Sequence, residues 1–169
     1  MTQISSSNKR RLLIANDYIK MEIDKLIQQT KFQDNYHKAM LNLFYTSNYF
    51  RDAHMHVFGK HGIQGQHFNI LRILKGKHPQ PVSPGYIKDV ILDKGRDITR
   101  LMDKLVNMGW VNRGNCPENK RKMDITLTDL GISAVEKISE ELTALDADLK
   151  TLSEKEYEQL SHLLDKMRG

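Results

Sequence analysis

The segment that most constrains this chain is residues 92–128, whose pattern predicts one helix followed by a short hairpin. Asp93 suits the start of such a helix, because a carboxylate there accepts the free backbone N–H groups of the first turn. Apolar side chains then recur at the i, i+3, i+4, i+7 spacing of one helical face, at Ile98, Leu101, Met102 and Leu105. Gly109 ends the predicted 94–108 helix, since glycine adopts the left-handed conformation of a helix C-terminus. The other face of this helix therefore meets solvent or a partner.

Two short strands are predicted after this helix, at residues 110–113 and 123–127, because apolar and polar side chains alternate there. The intervening residues 114–122 contain Gly, Pro and Asn and predict a turn. Three consecutive positive charges stand at the distal end of this turn, at Lys120, Arg121 and Lys122. A helix with a basic outer face and a basic hairpin tip suits duplex DNA, with the helix in the major groove and the tip at phosphates or the adjacent minor groove.

The segments DITRLMDKLVNMGWVNR and PENKRKMDITLTDLG resemble the MarR family of winged helix-turn-helix proteins, over about Gly62 to Gly131. Helix, Gly-aromatic-Val-x-Arg strand, basic wing and Leu-Thr-x-x-Gly follow one another in the family's order. The resemblance implies a homodimeric transcription regulator, usually a repressor, with a mainly α fold and a small β-hairpin wing. One departure concerns the wing: the family commonly has an Asp two residues before its Arg, whereas here Asn119 precedes Arg121. The amide oxygen of an Asn accepts a hydrogen bond from a guanidinium, but it lacks the negative charge with which an Asp also attracts that group.

Composition and length set broad limits on the chain. Its 169 residues fit one domain, or one domain with appended helices, and its net charge of +5 gives only a weak preference for polyanions. A run of about 18 apolar residues is absent, so no membrane span is expected. The N-terminus lacks the apolar core of a signal peptide, and the single cysteine, Cys116, fits a reducing compartment. We therefore expect a cytoplasmic protein.

Further helices are predicted on both sides of this segment. They cover residues 8–29, 33–58 and 64–75 before it, a short helix from Ser83 to Ile91, and helices 128–150 and 153–167 after it. The predicted inward face of the 33–58 helix contains Tyr36, Met40, Leu43, Phe44, Ser47, Phe50 and Val57. That of the last two helices contains Leu130, Ala134, Ile138, Leu142, Leu145, Leu149, Leu160, Leu163 and Leu164.

These helices predict three regions with different roles. Residues 1–61 are assigned to dimerisation, with the 8–29 helix as an addition to the family's first helix. The basic start of that helix is interpreted as a solvated end, with a contact to the DNA backbone or to the partner subunit as the alternatives. Residues 62–128 form the winged helix-turn-helix lobe, and residues 129–169 supply C-terminal dimerisation helices. A lone helix is marginal in water, so the terminal apolar faces have to pack against something, and a second subunit is a suitable partner.

A symmetric dimer would place two recognition helices in successive major grooves, about 34–36 Å apart, so we expect a pseudo-palindromic operator. Side chains predicted to reach base edges are Arg96, Thr99 and Arg100. Side chains predicted to hold phosphates are Lys94, Lys104 and Arg113. The wing is Lys120, Arg121 and Lys122, with Arg121 matching the groove-inserting Arg of the family. The alternative for any one of these residues is a solvated surface charge.

The resemblance also implies control by a small molecule, often an anionic aromatic one, held between the dimerisation helices and the DNA-binding lobe. The residues assigned to such an effector pocket are Phe44, Tyr45, Asn48 and His67, with ordinary core and hinge packing as the alternative. A ligand there acts only through its different affinities for the two arrangements of the dimer. No cofactor is predicted.

Other functions have weaker sequence support. Asp52 and His56 are one helical turn apart, with His54, His61 and His67 nearby, but His54 and His56 point to different sides, which argues against metal sensing. Cys116 lies in a basic wing that would lower the pKa of its thiol, yet it has no second cysteine to pair with. An enzyme is not expected, since no nucleophile–base pair, phosphate loop or metal motif stands out. The stronger rival is an architectural or partner-binding winged-helix module without effector control.

Overall fold

The computed structural model describes residues 21–95, 97–116 and 119–169, and for residues 115–116 and 119–122 it describes the backbone alone. The helices are α1 (Ile23–Leu26), α2 (Asn35–Lys60), α3 (Gly65–Lys77), α4 (Pro84–Val90), α5 (Ile98–Asn107), α6 (Asp129–Leu149) and α7 (Glu154–Arg168). Strands β1 (Val111–Cys116) and β2 (Asn119–Leu127) lie between α5 and α6. Residues 8–20 of the predicted 8–29 helix lie outside the described residues, and within residues 21–29 the prediction is wrong, because only Ile23–Leu26 is helical. The predicted mainly α fold with a β-hairpin is confirmed.

The contacts divide the chain into two compact units, Met1–Asp52 and Ala53–Gly169. The boundary falls within α2, which begins and ends two residues later than the predicted 33–58 helix and includes Gly59. Gly62 follows with a φ of +68° and takes the conformation that a chain leaving a helix often needs. None of the helices in the described part of the chain combines the length and apolarity that crossing a bilayer requires.

Side-chain caps fix the starts of four helices in the second unit. Ser83, Thr128 and Ser153 accept hydrogen bonds from the backbone N–H groups of Tyr86, Gly131 and Glu156, as their positions predict. The prediction for α5 was wrong: the helix begins at Ile98, and its cap is Asp97, which accepts from the N–H of Arg100. Asp93 instead accepts a hydrogen bond from Gln66 of α3, so a contact outside the local sequence decided between the two acidic residues.

The hairpin is longer than the alternation of side chains predicts. Antiparallel pairs run from Val111 with Leu127 to Asn115 with Met123, and a shift in register then brings Cys116 opposite Asn119. Residues 114–116 and 119–122 thus lie in strands and not in a turn, since backbone pairing extends through polar sequence as far as Cys116 and Asn119. Val82 adds a bridge to Ile125 through N···O distances of 3.0 and 2.9 Å, which ties the segment before α4 to the base of β2.

The core of the second unit joins α3, α4, α5, the hairpin and α6. Its fully buried side chains include Ile70, Leu71, Ile87, Leu105, Ile125, Val135 and Ile138. The predicted α6 face was partly wrong: Leu130 is 58% exposed, whereas Gly131 and Val135 are buried. The apolar stripe follows the side of α6 that meets the hairpin, and the sequence does not specify that side.

Large apolar side chains remain on the surface of each unit. Tyr36, Phe44 and Phe50 of α2 are 66%, 57% and 37% exposed, so their predicted burial is wrong within the chain itself. On α7, Leu160, Leu163 and Met167 are 43%, 53% and 42% exposed. Exposed apolar groups on this scale mark surfaces that bind other molecules.

Candidate nucleic-acid interface

Helix α5 has one buried and one polar face. Ile98, Met102 and Leu105 are at most 9% exposed and anchor it to the core. Thr99, Arg100 and Lys104 are exposed to solvent, as the sequence predicts for residues that contact DNA. Arg96, the third residue assigned to base edges, lies outside the described residues. The arrangement presents hydroxyl and cationic groups on a short, rigidly anchored helix.

Asp103 lies on the same helix and forms an ion pair with Arg113 on β1. Its Oδ1 is 2.9 Å from a terminal guanidinium nitrogen of Arg113 on β1. The Arg113 side chain is only 25% exposed, and its Nε is buried without a hydrogen-bond partner among the described residues. The pair neutralises a carboxylate on an otherwise basic face and joins the wing to α5. Arg113 was assigned to phosphate, and that role stays a prediction.

The end of α5 is joined closely to the hairpin. Gly109 has a φ of +70°, and the N–H of Trp110 donates to the carbonyl of Leu105 across 3.0 Å. Thr128 at the start of α6 donates its hydroxyl to the Gly109 carbonyl at 2.7 Å and its N–H to the Trp110 carbonyl at 3.1 Å. The orientation of the hairpin relative to α5 is therefore fixed by backbone contacts at its base.

The remaining basic residues flank α5 on both sides in sequence. Lys94 is exposed in the turn before the helix. Lys120, Arg121 and Lys122 lie on β2 just after the hairpin tip, but their side chains are outside the described part of the structure. The same holds for the thiol of Cys116. The backbone thus orders the predicted wing residues along one strand.

The four residues assigned to an effector pocket have different environments. Phe44, Tyr45 and Asn48 are exposed on α2 in the first unit, whereas His67 lies in α3 of the second unit and is 5% exposed. Two cavities of about 360 and 440 Å³ in the second unit are lined by other residues. The assignment of the four residues to one pocket stays a prediction.

His67 is buried and has a structural role at the start of α3, in line with the core packing given as its alternative role. Its Nδ1 accepts a hydrogen bond from the backbone N–H of Gln64 at 3.1 Å, which caps the first turn of α3. Burial lowers the pKa of His67 below 6.5, and the positive charge of Lys104 on α5 lowers the pKa further. The neutral ring is therefore the form that fits this site.

Two of the four histidines considered for metal binding, His54 and His61, are paired with carboxylates. His54 Nε2 is 2.7 Å from Asp146 Oδ1, and His61 Nε2 is 3.0 Å from Glu141 Oε1. In the described ranges, no cluster of three or more His, Cys, Asp or Glu is arranged to hold a metal ion. These pairs join the end of α2 and the residue that follows it to α6.

Comparisons with known proteins agree with this architecture. No protein-family model matches the chain. The transcriptional regulator PecS of Dickeya dadantii is 29% identical over 113 residues, which span 66% of this chain and 68% of PecS. The transcriptional regulator PapX of Escherichia coli is 28% identical over 82 residues, 48% of this chain and 50% of PapX.

Solved structures give longer matches. A MarR transcription factor from Planctomyces limnophilus is 29% identical with a TM-score of 0.62, covering 80% of this chain and 98% of that one. A mutant MarR from E. coli in complex with operator DNA is 25% identical with a TM-score of 0.68, covering 81% and 99%. The fold is a winged helix-turn-helix, in which α4 and α5 form the helix pair and β1–β2 the wing. The chain is similar in sequence and fold to MarR-family regulators, and the predicted resemblance is confirmed.

Proposed function

We propose that the chain is a sequence-specific regulator of transcription that binds double-stranded DNA as a homodimer. The observation that carries the proposal is α5, whose exposed Thr99, Arg100 and Lys104 stand opposite a buried apolar stripe. A helix anchored in this way fits the major groove, and arginine recognises guanine through two parallel hydrogen bonds. PecS and PapX are named transcriptional regulators, and the E. coli MarR structure contains operator DNA.

Exposed apolar side chains support the homodimer. Each unit carries its own set, on α2 in the first and on α7 in the second. A second copy of the chain would cover such faces, and two-fold symmetry would then call for a pseudo-palindromic operator with half-sites one or more helical turns apart. Light scattering coupled to gel filtration tests this part, and a monomer at micromolar concentration would contradict it.

Repression, release by a small anionic or aromatic effector, and a cytoplasmic location complete the proposal. The family resemblance supports the first two, with Phe44, Tyr45, Asn48 and His67 as the residues to test in the effector response. The single cysteine supports a reducing compartment. The named relatives are regulators and not enzymes, which supports a non-catalytic role.

Selection of bound sequences from random duplex DNA tests DNA binding and two-fold symmetry together. We expect a pseudo-palindrome, and recovery of no enriched sequence would refute the proposal. Arg100→Ala should weaken binding to the selected site by roughly 5- to 150-fold and relax the preference at one base pair. Lys137→Ala removes an exposed positive charge from α6 and serves as the matched control, for which we expect unchanged preference.

A further inference from the structure

The turn between the two helices of the helix-turn-helix is unusually long. Residues 91–97 separate α4 from α5, whereas a turn of three or four residues is typical of this motif. A longer turn has more backbone freedom to lose when it adopts one conformation. The start of α5 is therefore not set by α4 alone.

Among the described residues from Ile91 to Ile98, only the two at the ends are buried. Ile91 is 2% exposed and Ile98 is 9% exposed, so both belong to the core. Between them, Leu92 is 82% exposed, and Lys94 and Gly95 also face solvent. Gly95 adopts a φ of +110°, which side-chain-bearing residues rarely take. The middle of the turn thus depends on hydrogen bonds for its order.

Two amide side chains of α3 supply hydrogen bonds at this point. Asn69 Oδ1 accepts from the backbone N–H of Leu92 at 3.0 Å. Gln66 Nε2 donates to Asp93 Oδ2 at 3.1 Å. Gln66 and Asn69 are three residues apart, so they lie on the same face of α3 and reach consecutive residues of the turn.

We propose that Gln66 and Asn69 are positioning residues for DNA recognition, which fix the turn that leads into α5 without touching the DNA. The inference rests on the proposed function, since it assigns a part of that function to α3. Loss of either bond lets the turn sample additional conformations. The apparent affinity for the operator then falls in proportion to the fraction of molecules that keep the binding-competent one.

The test compares matched pairs of variants. Asn69→Leu removes the acceptor, whereas Asn69→Asp retains an oxygen in its place. Gln66→Leu removes the donor, whereas Gln66→Lys retains an N–H donor toward Asp93. The readout is the ratio of affinities for the selected operator and for unrelated duplex, because an added charge changes both through the phosphates and largely cancels in the ratio. Hydrogen exchange of the Leu92 N–H is measured in the same proteins.

We expect Asn69→Leu and Gln66→Leu to lower the affinity ratio by roughly five-fold, which is the effect of one hydrogen bond. Asn69→Asp and Gln66→Lys should keep the affinity ratio of the wild type. Exchange of the Leu92 N–H should accelerate in Asn69→Leu but not in Asn69→Asp. An unchanged ratio in both leucine variants, with the wild type binding its operator, would overturn the positioning role alone. An unchanged exchange rate in Asn69→Leu would overturn it too. A wild type without specific binding would instead refute the proposed function.

Discussion

Gly131, in the first turn of α6, stands against the backbone of Trp110, and replacing it with alanine should destabilise the protein strongly. A Cβ added at Gly131 would lie 2.0 Å from the Trp110 carbonyl oxygen, 2.8 Å from its carbon and 3.2 Å from Leu127 Cδ2. Non-bonded carbon atoms are most stable at roughly 3.5–4.0 Å, so α6 and the hairpin would have to separate by at least about 1 Å. Two of the three nearest atoms are backbone, and a side-chain rotation cannot relieve that contact.

The magnitude follows from what such a separation disrupts. Overpacking of this kind costs about 1–3 kcal/mol, and the upper end applies because backbone has to move. The Thr128 N–H to Trp110 carbonyl bond of 3.1 Å lies in the same place, and its loss costs about 1 kcal/mol. Alanine regains about 1 kcal/mol through its better helix propensity. The free energy of unfolding should therefore fall by about 3 kcal/mol.

Denaturant unfolding at a fixed protomer concentration measures this loss, because the stability of an oligomer depends on concentration. Thermal unfolding should show a Tm lower by about 6–12 °C for a chain of this size. Gly76→Ala is the matched control: it also lies in a helix, has nothing within 4 Å of the added Cβ, and should be neutral or stabilising by up to about 1 kcal/mol. Equal stability of the two variants would refute the reasoning.

His67→Gln should remove one source of acid sensitivity while a glutamine oxygen still caps α3. The pKa of His67 lies below 6.5 in the folded chain, so the unfolded chain binds a proton first as pH falls. The stability that is present above pH 6.5 is therefore lost as the pH falls towards the folded pKa. If the free energy of unfolding changed with pH equally in the variant and the wild type, this reasoning would be contradicted. Asp103→Asn should lower the free energy of unfolding, measured in denaturant, by no more than about 1 kcal/mol, since Asp103 is 55% exposed. A loss above about 2 kcal/mol would show instead that the pair with Arg113 is a core contact. Arg121→Ala should weaken binding to all duplexes and reduce the salt slope by about 1 in fluorescence anisotropy titrations, and an unchanged slope would exclude a phosphate contact.

Features that depend on neighbouring residues were predicted well from the sequence. The caps at Ser83, Thr128 and Ser153 and the left-handed Gly109 each need only a few adjacent residues, so their side-chain chemistry decides them. The amphipathic stripe of α5 was also predicted, because its period is encoded within a single helix. The helix-and-hairpin order of the motif follows from these local signals together.

Features that depend on distant residues were not predicted. Asp93 and Asp97 are equally good caps by type, and the choice between them rests on Gln66, which lies 27 residues before Asp93. Leu130 continues an apolar spacing along α6 but is exposed, because Gly131 faces the hairpin and turns Leu130 outward. Periodicity gives the width of an apolar face but not the element that it meets.

The ion pair between Asp103 and Arg113 shows how this limit affects the candidate site. By charge alone, Asp103 repels phosphate and Arg113 attracts it, so sequence reasoning assigns them opposite effects on DNA binding. The fold places them 2.9 Å apart, and each offsets the charge of the other. The exposed positive charges that remain on α5 are those of Arg100 and Lys104, while Arg113 joins the wing to the helix. Counting basic residues in the sequence therefore overestimates the positive charge that this face presents and misses one contact between the wing and α5.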